Sequence, residues 1–218
     1  MAFKKDLPLL IFDLDGTLID SARDVQIAMN KMLLKHGKNS VDYPTMVSHI
    51  GDGIKKLVCD FFPEFEIESE ENLQKVNEFL TFYELDLTQN TTLYPGVADF
   101  LNSYQGPKAL VTNKNIHPTI KILQHFDIYH TPWIDIIGGD SLAERKPSAL
   151  PLNHVMKKAG IPPTQTWMIG DGRPDMQSAT AAYCLKVAVH YGYSTPDELS
   201  KFNPNHVLKK FSDLNSLI

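Results

Sequence analysis

From Leu93 onward the sequence alternates short apolar runs with apolar residues at helical spacing, and this alternation limits the possible folds more than any other feature. Val97, Phe100, Leu101 and Tyr104 share one helical face, Lys108 to Thr112 reads as a strand, and Ile116, Ile120 and Leu123 form the next stripe. The pattern then repeats. Trp133 to Ile137 is a strand, Leu152, Val155, Met156 and Ala159 a helical stripe, and Trp167 to Ile169 and Leu185 to Val189 two further strands. Repeats of this kind imply parallel strands with helices on both faces. Thr195-Pro196-Asp197-Glu198 is a capping box with proline at the first helical position, so another helix starts there.

A first strand lies far upstream, at Leu9, Leu10, Ile11 and Phe12, and a helical stretch separates it from the repeats. Ser21 is placed to cap a helix carrying Val25, Met29, Met32 and Leu33, which Gly37 ends. A second helix shows Ile54, Leu57, Val58, Phe61 and Phe62; a third, from Ser69, shows Leu73, Val76, Leu80, Tyr83 and Leu87. Residues 88–92, TQNTT, read as a linker back. The expected fold class is therefore α/β: an open parallel Rossmann-like sheet flanked by helices, formed by residues 1–19 and 90–218, with an inserted α-helical bundle over residues 20–89.

Ligands of such sheets bind beyond the carboxyl ends of the strands. The first strand runs into Asp13-Leu14-Asp15-Gly16-Thr17, and the second ends in Thr112-Asn113-Lys114. The Trp167 strand ends in Gly170-Asp171-Gly172-Arg173-Pro174-Asp175, and the Trp133 strand leads to Glu144-Arg145-Lys146-Pro147. Asp13 and Asp15 repel, and a cation, a shared proton or solvation must compensate them. Each end has an ordinary reading: Asp and Gly are turn residues, an Asp after a strand caps the next helix, and lysines lie on surfaces. Together they place several carboxylates, a hydroxyl and a lysine in one pocket, as phosphoryl transfer around Mg²⁺ requires.

The 21 Lys and Arg against 26 Asp and Glu leave a net charge of -5, which provides no global field for nucleic acid. No run approaches the roughly 18 apolar residues of a membrane span. Cys59 and Cys184, without a CxxC partner, suggest reduced thiols. Lys4 and Lys5 imitate the start of a signal peptide, but Pro8 interrupts the apolar run and Asp13 ends it, which favours a cytoplasmic start. The expected assembly is a monomer or a homodimer.

The order DxDGT, Thr-Asn at a strand end, Lys-Pro and GDxxxD resembles the four motifs of the haloacid dehalogenase superfamily, over essentially the whole chain. The insert looks like that superfamily's C1-type helical cap. "IGDGIKKLV", "LVTNK", "IIGGD", "GDGRPD" and "YGY" are similar to phosphoglycolate phosphatases. The departures are Gly172 where Ser or Thr is usual, "AAYC" for Ala-Ala-Gly, and Ser-Ala-Leu-Pro after Pro147 without the usual close second proline.

The resemblance implies Asp13 as nucleophile and Asp15 as acid and base. Thr112 and Lys146, with Arg145 as runner-up, would clamp the phosphoryl oxygens, and Asn113 would bind substrate. Mg²⁺ would be held by Asp13, the backbone carbonyl of Asp15 and Asp171, with Asp175 behind them orienting Lys146 or a bound water. In the cap, N–H groups at Gly51 and Gly53 would meet a substrate anion, assisted by Lys55 and Lys56 but opposed by Asp52. The expected partner is a small phosphorylated metabolite, 2-phosphoglycolate favoured. Alternatives are a nucleotidase, a pyrophosphatase, a β-phosphoglucomutase-like mutase and a catalytically silent phosphoester-binding protein. Asp15 argues against a dehalogenase, since a leaving halide needs no proton. A phosphonatase would require a Schiff-base lysine among Lys31, Lys35, Lys55 and Lys56.

Overall fold

The computed structural model describes residue 4 and residues 6–218; Lys5, half of the basic N-terminal pair, lies outside them. Strands β1 (Leu9–Phe12) and β2 (Ile19–Asp20) precede the helices α1 (Ala22–Lys35), α2 (Tyr43–Val47), α3 (Ile54–Phe61) and α4 (Glu70–Leu85). Then follow β3 (Thr92–Leu93), α5 (Val97–Ser103), β4 (Lys108–Val111), α6 (Ile116–His125), β5 (Trp133–Ile137) and α7 (Leu150–Ala159). The chain closes with β6 (Thr166–Gly170), α8 (Arg173–Ala181), β7 (Leu185–Val189), α9 (Pro196–Ser200) and β8 (His206–Leu208). Six strands form one parallel sheet in the order β5-β4-β1-β6-β7-β8.

Strand β1 shows why the sheet is covered on both faces. All four of its residues are fully buried, and they alternate between two cores. Leu10 and Phe12 pack with Phe100, Leu101, Ile122 and Phe211 on one side. Leu9 and Ile11 pack with Leu152, Val155 and Ala179 on the other. The chain runs from β1 outward through β4 and β5 and returns to β6 on the opposite side of β1, so the order reverses between β1 and β6. A crevice forms there, beyond the carboxyl ends of both strands.

Helices α1 to α4 form a unit above this crevice, and Met29, Met32, Val58, Phe62, Val76 and Phe79 fill its interior. The chain leaves and re-enters the sheet domain through β2 and β3, which pair antiparallel at Ile19 with Leu93 and Asp20 with Thr92. These two-residue strands, and β8, are absent from the sequence reading because they are too short to show a period. Buried Asp24 ties the return crossing to α1. It accepts hydrogen bonds from the N–H groups of Asn90 (3.0 Å) and Thr91 (2.8 Å) and from the Thr91 hydroxyl (2.7 Å). Ser69 caps α4 by accepting the N–H of Asn72, and Thr195 caps α9 as its capping box requires.

Candidate active site

Asp13 continues β1, and its N–H still donates to the Ile169 carbonyl of β6 at 2.9 Å, so the sheet fixes its backbone. Its carboxylate accepts a hydrogen bond from Lys146 Nζ at 2.8 Å. The same ammonium donates to Asp175 Oδ1 and to the Val111 carbonyl, both at 2.6 Å, which engages all three of its protons. Asp175 reaches back with its other oxygen to accept the Gly172 N–H at 3.0 Å, fixing the first turn of α8. Asp171, at the end of β6, accepts the Thr17 hydroxyl (3.1 Å) and the N–H of Tyr193 (2.7 Å). Thr112 is buried at the end of β4 and lines the same cleft, its oxygen accepting the Lys114 N–H at 3.2 Å.

Two glycines make room for Asp171. Gly16 has φ 79°, and a Cβ on it would lie 2.1 Å from the Asp171 carboxylate. A Cβ on Gly192 would lie 2.3 Å from Asp171 Cβ. The glycine of the Asp-Gly-Thr turn is thus required by a side chain 155 positions downstream as well as by its own dihedral.

One oxygen each of Asp13, Asp171 and Asp175 lies within 4.8 Å of the others. Burial, reinforced by Asp175, pushes the Asp13 carboxyl up to about 7 despite Lys146. Burial also raises Asp171 well above the usual carboxylate range, with Asp13 and Asp175 adding to it against the donors Tyr193 and Thr17. Burial alone would lower the pKa of Lys146, but Asp13 and Asp175 outweigh it and raise it. Three carboxylates against one ammonium leave an excess of negative charge at this point. Hard oxygen donors with uncompensated charge suit a divalent cation such as Mg²⁺.

The Asp15 side chain stands apart from this cluster. It accepts hydrogen bonds from Lys114 Nζ at 2.9 and 3.1 Å and from the Ser21 hydroxyl. Ser21 therefore does not cap α1 with its side chain as local sequence predicts; the hydroxyl goes to Asp15 instead. The backbone N–H groups of Ser21 and Ala22 are met by the Tyr193 hydroxyl at 2.8 and 3.0 Å, and that hydroxyl donates to Asp20 at 3.0 Å. Lys114, Ser21 and Tyr193 are the site residues that the sequence did not single out. Lys114 adjoins a named motif residue and Tyr193 lies in the "YGY" stretch, so position offered a signal for both.

The helical unit closes the cleft from above. Val25, Leu57, Phe79, Leu80 and Tyr83 line it with Gly51 and Gly53, around about 820 Å³ of empty space that is open to solvent. Asn113 joins the two parts: its Nδ2 donates to the Gly51 and Lys146 carbonyls, each at 2.9 Å, so both amide protons are engaged and only Oδ1 faces unpaired. Asp52 and Arg173 form an ion pair across the same seam at 2.9 Å. Lys55 is not brought to this cleft. It pairs with Glu68 and borders a second cavity together with Asp140 and Arg145. Lys56 pairs with Asp60, one turn along α3. Arg145 leaves the inner position to Lys146 and lies beside Gly53.

A model of haloacid dehalogenase-like hydrolases matches residues 10–189, the span from β1 to the end of β7. The chain belongs to the haloacid dehalogenase-like hydrolase family. Among curated relatives, a phosphoglycolate phosphatase of Chromobacterium violaceum is 37% identical over 89% of this hydrolase and 90% of its own length. One of Psychrobacter arcticus is 35% identical over 96% and 94%. The crystal structure of a predicted phosphoglycolate phosphatase from Haemophilus somnus superposes with a TM-score of 0.86 at 28% identity, covering 98% of both chains. The helical insertion of this hydrolase is consistent with these neighbours. Among the described residues, no helix is long and apolar enough to cross a membrane.

Proposed function

We propose that this hydrolase is a Mg²⁺-dependent phosphomonoesterase acting on a small phosphorylated acid, with 2-phosphoglycolate as the favoured substrate. The observation that carries the chemistry is the buried Lys146 bridging Asp13 and Asp175 beside Asp171, at the reversal point of the sheet. In this reading residues 20–89 act as the cap and the rest as the core.

The Asp13 carboxylate attacks phosphorus and forms an aspartyl phosphate as the bond to the leaving oxygen breaks. Asp15, oriented by Lys114 and Ser21, gives a proton to that oxygen. Water then attacks phosphorus, loses a proton to Asp15, and frees phosphate and Asp13. Thr112 and Lys146 donate to the equatorial oxygens, where phosphoryl transfer gains most from electrostatic stabilisation. Lys146 must exchange one of its three present acceptors for the phosphoryl group. Asp13 and Asp171, together with the Asp15 carbonyl, would hold Mg²⁺, which when bound neutralises charge on the transferring group, while Asp175, engaged by Lys146 and the Gly172 N–H, keeps Lys146 in place. A cap that closes once substrate is seated would exclude water from the reaction.

The apolar roof offers few partners to the several ring hydroxyls of a sugar phosphate, whereas a short acid has one further polar group to satisfy. The names of the relatives support the same choice. Phosphate release from 2-phosphoglycolate, hexose phosphates, nucleotides and pyrophosphate, each with Mg²⁺ and with EDTA, tests the proposal. Mg²⁺-dependent preference for 2-phosphoglycolate is expected; preference for another ester would keep the chemistry and overturn the substrate, and no release from any would favour a silent binding protein.

A further inference from the structure

Among the described residues, three buried side-chain polar atoms have no hydrogen-bond partner: Asn72 Oδ1, Asn113 Oδ1 and the Tyr83 hydroxyl. Asn72 is a structural residue of the cap, its Nδ2 donating to the Lys55 and Ile67 carbonyls at 3.1 and 2.7 Å. Asn113 holds cap to core and has only an acceptor left to offer. Tyr83 is different. It stands on α4, is 3% exposed, and lines the cleft that also contains Asp13 and Asp15.

A buried hydroxyl without a partner is unfavourable, and phenylalanine would fill the same space without that cost. The group is a donor at neutral pH, because burial pushes the phenol up to about 12. Its ring reaches across the cleft to Lys114, whose ammonium lies 5.0 Å from the ring centroid. Asp15 takes at most two of the three protons of Lys114, and the ammonium also faces the Tyr83 oxygen, which leaves the phenolic O–H itself without an acceptor. His49, another polar side chain of the cap on this cleft, is tied through Nδ1 to Asp60 at 3.0 Å. A phenol donor without an acceptor and a buried cation therefore meet where the apolar roof faces the floor, which is the arrangement a carboxylate would complete.

We infer that Tyr83 is a specificity-determining residue: its hydroxyl, together with Lys114, receives the carboxylate that a short phosphorylated acid carries away from its phosphate. This rests on the phosphatase reading above and names the cap residue that recognises the acid. The consequence is selective. Tyr83 acts on substrates with the carboxylate and is indifferent to those without it.

The test compares wild type and Tyr83→Phe, both with Mg²⁺, on 2-phosphoglycolate and on ethyl phosphate, which has a methyl group in place of the carboxylate. KM for 2-phosphoglycolate should rise about tenfold in the variant, as expected for a lost hydrogen bond to a charged group. KM for ethyl phosphate and kcat for both should stay within about twofold, and the thermal midpoint should not fall. Equal changes on both substrates, or none on either, would overturn the inference while leaving the phosphatase reading intact. A wild-type enzyme that hydrolyses ethyl phosphate but shows no preference for 2-phosphoglycolate would overturn both the acid substrate and the role of Tyr83.

Discussion

The floor and the roof of the cleft are built on opposite principles. The floor, at the ends of β1, β4 and β6, is a buried set of charges in which Lys146 alone contacts two carboxylates and a carbonyl. The roof, on α1, α3 and α4, is an apolar wall with one unpaired hydroxyl. The floor groups depend on one another, so few changes there are tolerated. The roof side chains pack within one apolar cluster, and in the proposed function they select the substrate while the floor groups react with it.

The strongest way to break that division is at the proposed nucleophile. Asp13→Asn should lower kcat by about 10⁴-fold or more, with circular dichroism unchanged, because the amide fills the same space but cannot attack. Near wild-type turnover would remove Asp13 from the chemistry. Lys146→Met comes next. It leaves Asp13 and Asp175 buried beside Asp171 without their counter-ion, so kcat should fall by about 10²- to 10³-fold and stability by about 3–5 kcal/mol in denaturant titration. A stable variant would show that the floor is not mutually dependent.

Acidity should expose the same crowding. Asp13 is held at about 7 in the fold against an ordinary 3.8, so between those values the native state binds a proton that the unfolded chain does not. For this group stability is greatest below about pH 4 and falls as pH rises through 7. In EDTA the thermal midpoint should therefore be lower at pH 8 than at pH 5, and saturating Mg²⁺ should remove most of the difference. A higher midpoint at pH 8 without metal would contradict an excess of negative charge in the cluster. The smallest effect is expected at the seam. The Asp52–Arg173 pair is largely exposed, so Arg173→Ala should cost no more than about 1 kcal/mol and change KM less than threefold, with kcat preserved. A large loss of kcat would mean that floor and roof are coupled through this pair.

The departures from the family pattern separate local from remote causes. Tyr183, in "AAYC", has φ 59°, the left-handed region where glycine is ordinarily found; it is 85% exposed and lies on the turn into β7, at the opposite end of the sheet from the site. Gly172 needs no side chain, because its backbone N–H already binds Asp175. Pro151 falls in the first turn of α7, where a missing N–H costs nothing.

The sequence by itself determined the parallel α/β sheet, the helical insertion, and the strand ends bearing Asp13, Thr112, Lys146 and Asp171. Strand and helix periods and turn residues are local properties, and the topology of parallel sheets then gathers the strand ends on one edge. Tertiary structure alone decided which charges pair. Ser21 has the composition of a helix cap, yet its hydroxyl goes to Asp15, because the turn after β1 brings that carboxylate closer than the helix's own N–H groups. Lys55 has the charge to meet an anion but takes Glu68. Tyr83 reads as one more residue on an apolar stripe. Periodicity shows that it is buried; only the packing of α4 over Lys114 shows that its hydroxyl is left without a partner beside a cation, since that depends on groups 31 residues apart in sequence and on two separately folded elements.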